Sequence, residues 1–412
     1  MKPPALLSRL SDQLLRREKG GKLRSLTLHL QQQQQSRVID FSSNDYLSIA
    51  RNRGLASRID DAVRAHTAKL DILAPVLGST GSRLLTGNSS LCEETERLIA
   101  AFHGFEHALL ANSGWDLNFG LLSCIPSASS GGGAQAEGTS VLFDELAHNS
   151  LVMGIRNGRQ VHTTAFKHND LVDLEAKLQE CGGGSGRELL VVVESIYSMD
   201  GDTAPLAPIL ALCHKYGAMA VVDEAHSTGI VGVRGEGLVS GLGLQSHPSL
   251  LAVVYTFGKG LGFHGAALAT QHPAVVGTML NYCRPIVYST SLPVPSLVAL
   301  QCIYEEIGSQ ASSERRERLR NLTQLFRDRC DELALPILRG SSSPIQAVLF
   351  PGNRAVLAAA GQLLLSGFCC LPIRAPTVAQ GAERLRIILH AHNSLDEVRE
   401  LTAAIRDIGE GR

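Results

Sequence analysis

Leu250-Leu251-Ala252-Val253-Val254-Tyr255-Thr256-Phe257-Gly258-Lys259-Gly260-Leu261-Gly262 is a short apolar run that ends on a lysine set among glycines. Residues 251–254 read as a buried strand, and the glycines beyond let backbone approach a ligand closely. An amine delivered to such a place can form a Schiff base. A lone Gly-Lys-Gly is more simply a surface lysine in a flexible loop, so the reading of Lys259 turns on what lies upstream.

The same kind of apolar run recurs. From about residue 90, runs at 108–111, 140–143, 189–193 and 218–222 alternate with helical stretches. This pattern predicts an α/β fold with a mostly parallel sheet covered by helices. Ligands of such sheets bind at the carboxyl ends of the strands, which makes the residues just after these runs the candidates. Beyond residue 290 a polar Arg- and Glu-rich helix around 312–330 precedes short strands near 345–350 and 384–389, with one helix between them and another at the end. That stretch predicts a smaller α+β domain. The expected division is an N-terminal segment 1–50, a large α/β domain 51–290 and a C-terminal α+β domain 291–412. Low-complexity segments 31–35, 127–138 and 182–186 read as solvated loops, and no internal repeat is apparent.

Composition narrows the function classes. The 412 residues are 44% hydrophobic and 19% charged, which suits a soluble protein with a large core. A net charge of -1 with evenly mixed signs provides no basic face for a phosphate backbone, so no nucleic-acid partner is expected. Nine cysteines form no Cys-x-x-Cys pair and lie mostly in apolar stretches, pointing to a reducing, cytoplasmic setting without a zinc site. His390 and His392 alternate as metal ligands on a strand can, but without an acidic or thiol partner at ligand spacing they read as ordinary polar positions. No apolar run approaches the length of a membrane span, and no secretory signal is apparent. Leu6, Leu7, Leu10, Leu14 and Leu15 recur at helical spacing among Arg9, Arg16, Arg17 and Lys19. Asp12 and Glu18 favour a docking helix there over a transit peptide.

The run at 218–222 leads into Asp223-Glu224-Ala225-His226, placing a carboxylate and an imidazole at a strand's carboxyl end. Those four letters suggest a nucleotide-hydrolysing helicase, but the chain has no Gly-x-x-x-x-Gly-Lys-Ser/Thr loop to cradle a triphosphate. For this motif alone, Asp223 could simply cap a following helix. The alternative sets Asp223 against a pyridinium nitrogen, keeping it protonated so that the ring accepts electrons from a carbanion. An Asp at one strand end and a later Lys in a glycine-bounded loop meet the needs of a pyridoxal phosphate enzyme.

Further segments extend the pattern: Phe41-Ser42-Ser43-Asn44-Asp45-Tyr46-Leu47, Gly78-Ser79-Thr80-Gly81-Ser82-Arg83, Asn112-Ser113-Gly114-Trp115, Asp144-Glu145-Leu146-Ala147-His148-Asn149-Ser150, Ser198-Met199-Asp200-Gly201-Asp202 and Tyr288-Ser289-Thr290-Ser291-Leu292-Pro293. With these in order from about residue 40 to 392, the chain resembles the α-oxoamine synthase family of fold-type I pyridoxal phosphate enzymes. The resemblance implies a large, mostly parallel seven-stranded sheet domain, a small C-terminal α+β domain and a homodimer. It implies that Lys259 forms the Schiff base with pyridoxal 5'-phosphate and then acts as base and acid at the substrate Cα. Asp223 would pair with the pyridine nitrogen, and His226 and Ser198 with the phenolic oxygen. His148 would stack on the ring face, although in isolation a satisfied core histidine is the plainer reading. Gly114 and Trp115, opening a helix, and the Thr256 hydroxyl would hold the phosphate. Trp115 either flanks the acyl substrate as well or is a core aromatic.

For the substrates the resemblance implies Arg386 on the amino-acid carboxylate, with Arg374 its nearby competitor, and Thr377 lining the acyl pocket. Arg24 falls where an arginine serves the acyl substrate, and a solvated surface arginine remains the alternative. The implied reaction is decarboxylative condensation of L-alanine with pimeloyl-CoA or a pimeloyl carrier protein. The 288–293 segment and the lysine loop favour that pair over family members that use glycine or serine. Two further alternatives are a non-catalytic partner subunit, whose signature would be loss of Lys259 or Asp223, and an aminotransferase of the same fold.

Overall fold

The computed structural model describes residues 5–24, 26, 38–71, 74–128, 138–159, 161–182 and 187–411. The low-complexity residues 31–35, 129–137 and 183–186 lie outside them. The chain forms two compact units, one of Asn44–Ser198 and Thr203–Glu317, the other of Met1–Ser43, Met199–Asp202 and Arg318–Arg412.

The larger unit is built on seven strands: β1 (His107–Ala111), β2 (Thr139–Asp144), β3 (Val161–Phe166), β4 (Glu188–Glu194), β5 (Met219–Asp223), β6 (Leu250–Thr256) and β7 (Ala266–Thr270). They pair in the order β1-β7-β6-β5-β4-β2-β3. β2 to β6 pair in parallel, and β7 runs antiparallel to both of its neighbours. The central strands are continuous runs such as Leu189 to Val193 because helices cover both faces and leave no side for water. Leu117, Leu121, Val141, Leu151, Val192 and Val254 meet in one core cluster.

Two strands escape the apolar-run pattern. β3, Val-His-Thr-Thr-Ala-Phe, is an edge strand with exposed His162 and Thr163, so its sequence is polar. β7, Ala-Ala-Leu-Ala-Thr, is buried throughout, but its alanines carry little strand preference. The lysine loop is the connection between β6 and β7, closed by Phe257 N–H donating to Gly265 O at 2.9 Å. Ser48 adopts φ +61°, the left-handed region that costs a side chain most and glycine least.

Behind the sheet's carboxyl edge, Glu224 is fully buried, and burial pushes its carboxyl up to about 8. A group that holds its proton in the folded state and releases it when unfolded stabilises most below its ordinary value of 4.5, and that stability is lost as pH rises toward 8. Glu224→Gln keeps an oxygen for the Val239 N–H, which Glu224 Oε1 accepts at 2.7 Å. Urea unfolding should therefore find the variant gaining on wild type from pH 5 to pH 8 and levelling off above, by roughly 3–5 kcal/mol.

The smaller unit holds a three-stranded antiparallel sheet in the order Leu371–Ile373, Arg384–Ile388, Ile345–Leu349. Ile39–Asp40 pairs in parallel with Phe368–Cys369. Helix Asn353–Leu365 lies between strands in sequence, and helix Leu395–Gly409 starts at a reciprocal cap between Ser394 and Glu397. Ala5–Lys19 is helical, and its five leucines remain about half exposed. No described helix is long and apolar enough to cross a membrane.

Candidate active site

The carboxyl ends of five strands supply the candidate residues of the larger unit. Gly114 and Trp115 follow β1, His148 follows β2, Ser198 follows β4, Asp223 ends β5 with His226 just beyond, and Thr256 ends β6 three residues before Lys259. A mostly parallel sheet concentrates these ends on one edge, which is why residues 145 positions apart in the chain, Gly114 and Lys259, serve one region.

Lys259 Nζ lies 2.9 Å from His226 Nε2. On the other side of the imidazole, Nδ1 is 2.6 Å from Tyr46 Oη, and Tyr46 donates to Asn44 Oδ1 at 3.3 Å. A charged lysine donating to Nε2 leaves the neutral ring's hydrogen on Nδ1, where it faces the tyrosine oxygen, so every donor in this chain finds an acceptor.

Asp223 is buried, and both of its oxygens are held. Ala225 N–H donates to Oδ1 at 2.8 Å, and Asn118 Nδ2 donates to Oδ2 at 2.6 Å. Residues 225–230 form turns, so Asp223 does not cap a helix. Asn118 Nδ2 also donates to Ser150 Oγ at 3.0 Å, and Ser150 Oγ lies 2.7 Å from His148 Nδ1. Trp115 meets His148 edge-on, with ring centroids 6.2 Å apart. Glu194, the last residue of β4 and in register with Asp223, accepts His148 N–H at 2.6 Å. Burial pushes the Glu194 carboxyl well up, with Asp223 adding to the effect. Burial also pushes the His148 imidazole down, Asp223 opposing and Lys259 assisting.

Gly114 opens helix Gly114–Ala128 and faces Thr256; a Cβ on Gly114 would lie 2.3 Å from Thr256 Oγ1. Only a bare backbone leaves that hollow open, where the N–H groups at a helix start and a threonine hydroxyl can meet an anion. A phosphate cradle, an acid placed to hold a ring nitrogen, an aromatic neighbour and a reachable amine are the donor set pyridoxal phosphate needs, and the residues present fit that group.

Ser198 sits in the turn closed by the Ile196–Thr203 bridge. The three substrate candidates belong to the smaller unit. Arg24 Nη2 donates to Thr377 Oγ1 at 3.2 Å, bringing those two together. Arg386 is buried in the middle strand of the three-stranded sheet, and Arg384, two residues before it, pairs with Asp200. The competitor Arg374 instead donates to Gly21 O at 2.7 Å. His390 and His392 stack with centroids 4.8 Å apart, and His390 Nε2 lies 2.9 Å from Ser43 O. Among the described residues, no group of three or more His, Cys, Asp or Glu is arranged to hold a metal ion.

Sequence reasoning assigned no role to Asn118, Ser150 or Tyr46. Asn118 stands one helical turn after Gly114 and so shares its face, Ser150 lies two residues past His148 at a helix start, and Tyr46 is a fully buried aromatic with a polar tip just after the polar run Ser42-Ser43-Asn44-Asp45.

Residues 36–405 match the family described as aminotransferase class I and II. An 8-amino-7-oxononanoate synthase from Emericella nidulans is 35% identical over 98% of this chain and 96% of its own length. Another from Citrifermentans bemidjiense is 33% identical, covering 90% of this chain and 89% of its own. A serine palmitoyltransferase variant from S. paucimobilis, solved with a bound pyridoxal phosphate–myriocin aldimine, superposes with a TM-score of 0.80 at 25% identity, covering 91% of this chain and 88% of that one. Fold, candidate site and relatives agree: the chain belongs to the class I and II aminotransferase family, in its α-oxoamine synthase branch, and is a pyridoxal phosphate-dependent acyltransferase of the 8-amino-7-oxononanoate synthase type.

Proposed function

We propose that this chain condenses L-alanine with a pimeloyl thioester, carried by CoA or by a carrier protein, to give 8-amino-7-oxononanoate, carbon dioxide and the free thiol. The observation that carries the substrate choice is the pairing of Arg24 with Thr377 in a cleft of about 200 Å3 that Arg17, Lys22 and Arg374 also line. No acidic residue is among the described residues lining it. Such a cleft suits an acyl chain that ends in a carboxylate, as pimeloyl does, and offers little to a wholly apolar one.

Bound pyridoxal phosphate supplies an electron sink for charge left on the amino-acid Cα. Asp223, fixed through both oxygens, keeps the ring nitrogen protonated, while His226 and Ser198 hydrogen-bond the phenolic oxygen. Gly114, Trp115 and Thr256 hold the phosphate. Lys259 anchors the cofactor, then removes the Cα proton and later returns one. Arg386 grips the substrate carboxylate until it leaves as carbon dioxide. In between, Cα bonds to the thioester carbonyl carbon, and the carbon–sulfur bond breaks to release the thiol. Homodimeric assembly and a cytoplasmic location complete the reading, both carried over from the family.

A matrix of amino acids against acyl thioesters, followed by release of free thiol, tests the substrate pair. Alanine with pimeloyl should give the highest kcat/KM, and Arg24→Ala should raise KM for the pimeloyl thioester by about 10-fold or more through loss of a charged hydrogen bond. A strong preference for glycine or serine, or for a palmitoyl thioester, would overturn the substrates and leave the reaction class standing.

A further inference from the structure

Asp223 and His148 are joined by a chain of hydrogen bonds whose directions can be worked out from one end. An ionised carboxylate only accepts, so the Asn118 amide must turn its Nδ2 toward Asp223 Oδ2, 2.6 Å away. That nitrogen has a second hydrogen, and Ser150 Oγ, at 3.0 Å, receives it. The Ser150 hydroxyl, 2.7 Å from His148 Nδ1, is left with its own hydrogen to give, and the direction of that contact is fixed by a second donor on the same nitrogen. The Ser150 backbone N–H reaches the same nitrogen from 3.3 Å. Two donors therefore converge on Nδ1, which must present its lone pair, and the neutral imidazole carries its hydrogen on Nε2.

We propose that Asn118 and Ser150 are positioning residues that hold His148 as its Nε2–H tautomer, so that the imidazole meets the bound ligand as a hydrogen-bond donor and not as a base. The inference rests on the pyridoxal phosphate acyltransferase reading of the site, because only an ionised Asp223 sets the direction of the chain. Two charged groups act on the imidazole, Asp223 at the end of β5 and Lys259 in the β6–β7 loop, while Glu194 at the end of β4 holds the His148 backbone N–H. Burial and Lys259 both favour the neutral ring, and the donors on Nδ1 act in the same direction. Ser150 itself is fully buried, which keeps water from taking over its part.

Holoenzyme carrying 15N-labelled histidine provides the test, with the His148 signals assigned by their loss in His148→Asn. Wild type should show Nδ1 as the unprotonated nitrogen and Nε2 as the protonated one. Ser150→Ala should largely lose that pattern, because the backbone N–H that remains on Nδ1 is the longer contact at 3.3 Å; Ser150→Thr, which keeps the hydroxyl, should restore it, and Asn118→Leu should weaken it. In parallel, Ser150→Ala should lower kcat/KM by about 10-fold, as removing a partner that orients a site histidine does. The acidic limb of its pH profile should move to higher pH, since Nδ1 is freed to take a proton. A wild-type Nδ1–H tautomer overturns the proposal, as do Ser150→Ala spectra and pH profile that match wild type. A protein without thioester-dependent activity that still shows the Nε2–H pattern, lost in Ser150→Ala, would sink the reaction and leave the tautomer assignment standing.

Discussion

Lys259→Ala should yield a folded protein that binds pyridoxal phosphate yet turns over at least about 10³-fold more slowly than wild type. The side chain is only half-buried, and its amine touches His226 at 2.9 Å, so truncation removes polar contacts of a single amine and little packing. Cofactor retention is expected because the phosphate hollow between Gly114 and Thr256 and the carboxylate of Asp223 do not depend on the lysine. Borohydride treatment separates the two states. In wild type it should fix the cofactor's mass onto the peptide containing Lys259, and in the variant it should fix none. Full thioester-dependent activity in the variant would remove Lys259 from the reaction.

Asp223→Asn should be nearly as damaging, for a reason visible in the donors around it. Both carboxylate oxygens receive an N–H, one from Ala225 and one from Asn118. An amide has a single oxygen: if it keeps the Ala225 N–H, its NH2 faces Asn118, whose own amide must then flip to present Oδ1. The variant thus loses a charge-assisted hydrogen bond and reverses the Asn118 amide that faces Ser150, together a destabilisation of roughly 1–3 kcal/mol. The catalytic loss should be larger, about 10²-fold or more in kcat, because nothing remains to hold the ring nitrogen protonated. Turnover and thermal unfolding measured on the same preparation distinguish the two effects. Activity scaling only with the folded fraction would show that Asp223 acts through stability alone.

The strands that carry the site were legible because a strand buried on both faces must be apolar throughout, as at 189–193 and 251–254. β3 was hidden by its place at the sheet edge, where threonine and histidine meet water, and β7 by its alanines, whose burial follows from neighbours and not from their own hydrophobicity. Lys259, Asp223 and His226 could be read because motif and strand end coincide at each. Asn118, Ser150 and Tyr46 have no such marker: their partners lie 105, 32 and 180 residues away, and contacts at that separation exist only once the sheet has closed. The Arg24–Thr377 pair, 353 residues apart, was reachable only through the family resemblance and not through any local pattern.

The order of strands also sets a timetable for synthesis. β1 emerges from the ribosome first, but its sole neighbour in the sheet is β7, the last to be made. The segment 107–111 must therefore wait about 155 residues for its partner, a long-range closure that slows folding. The Gly114 turn follows β1 directly, and Thr256 and Lys259 come only just before β7. Nascent chains that stop short of residue 270 should capture no cofactor, so the enzyme takes up its prosthetic group only once about two-thirds of its 412 residues have been made.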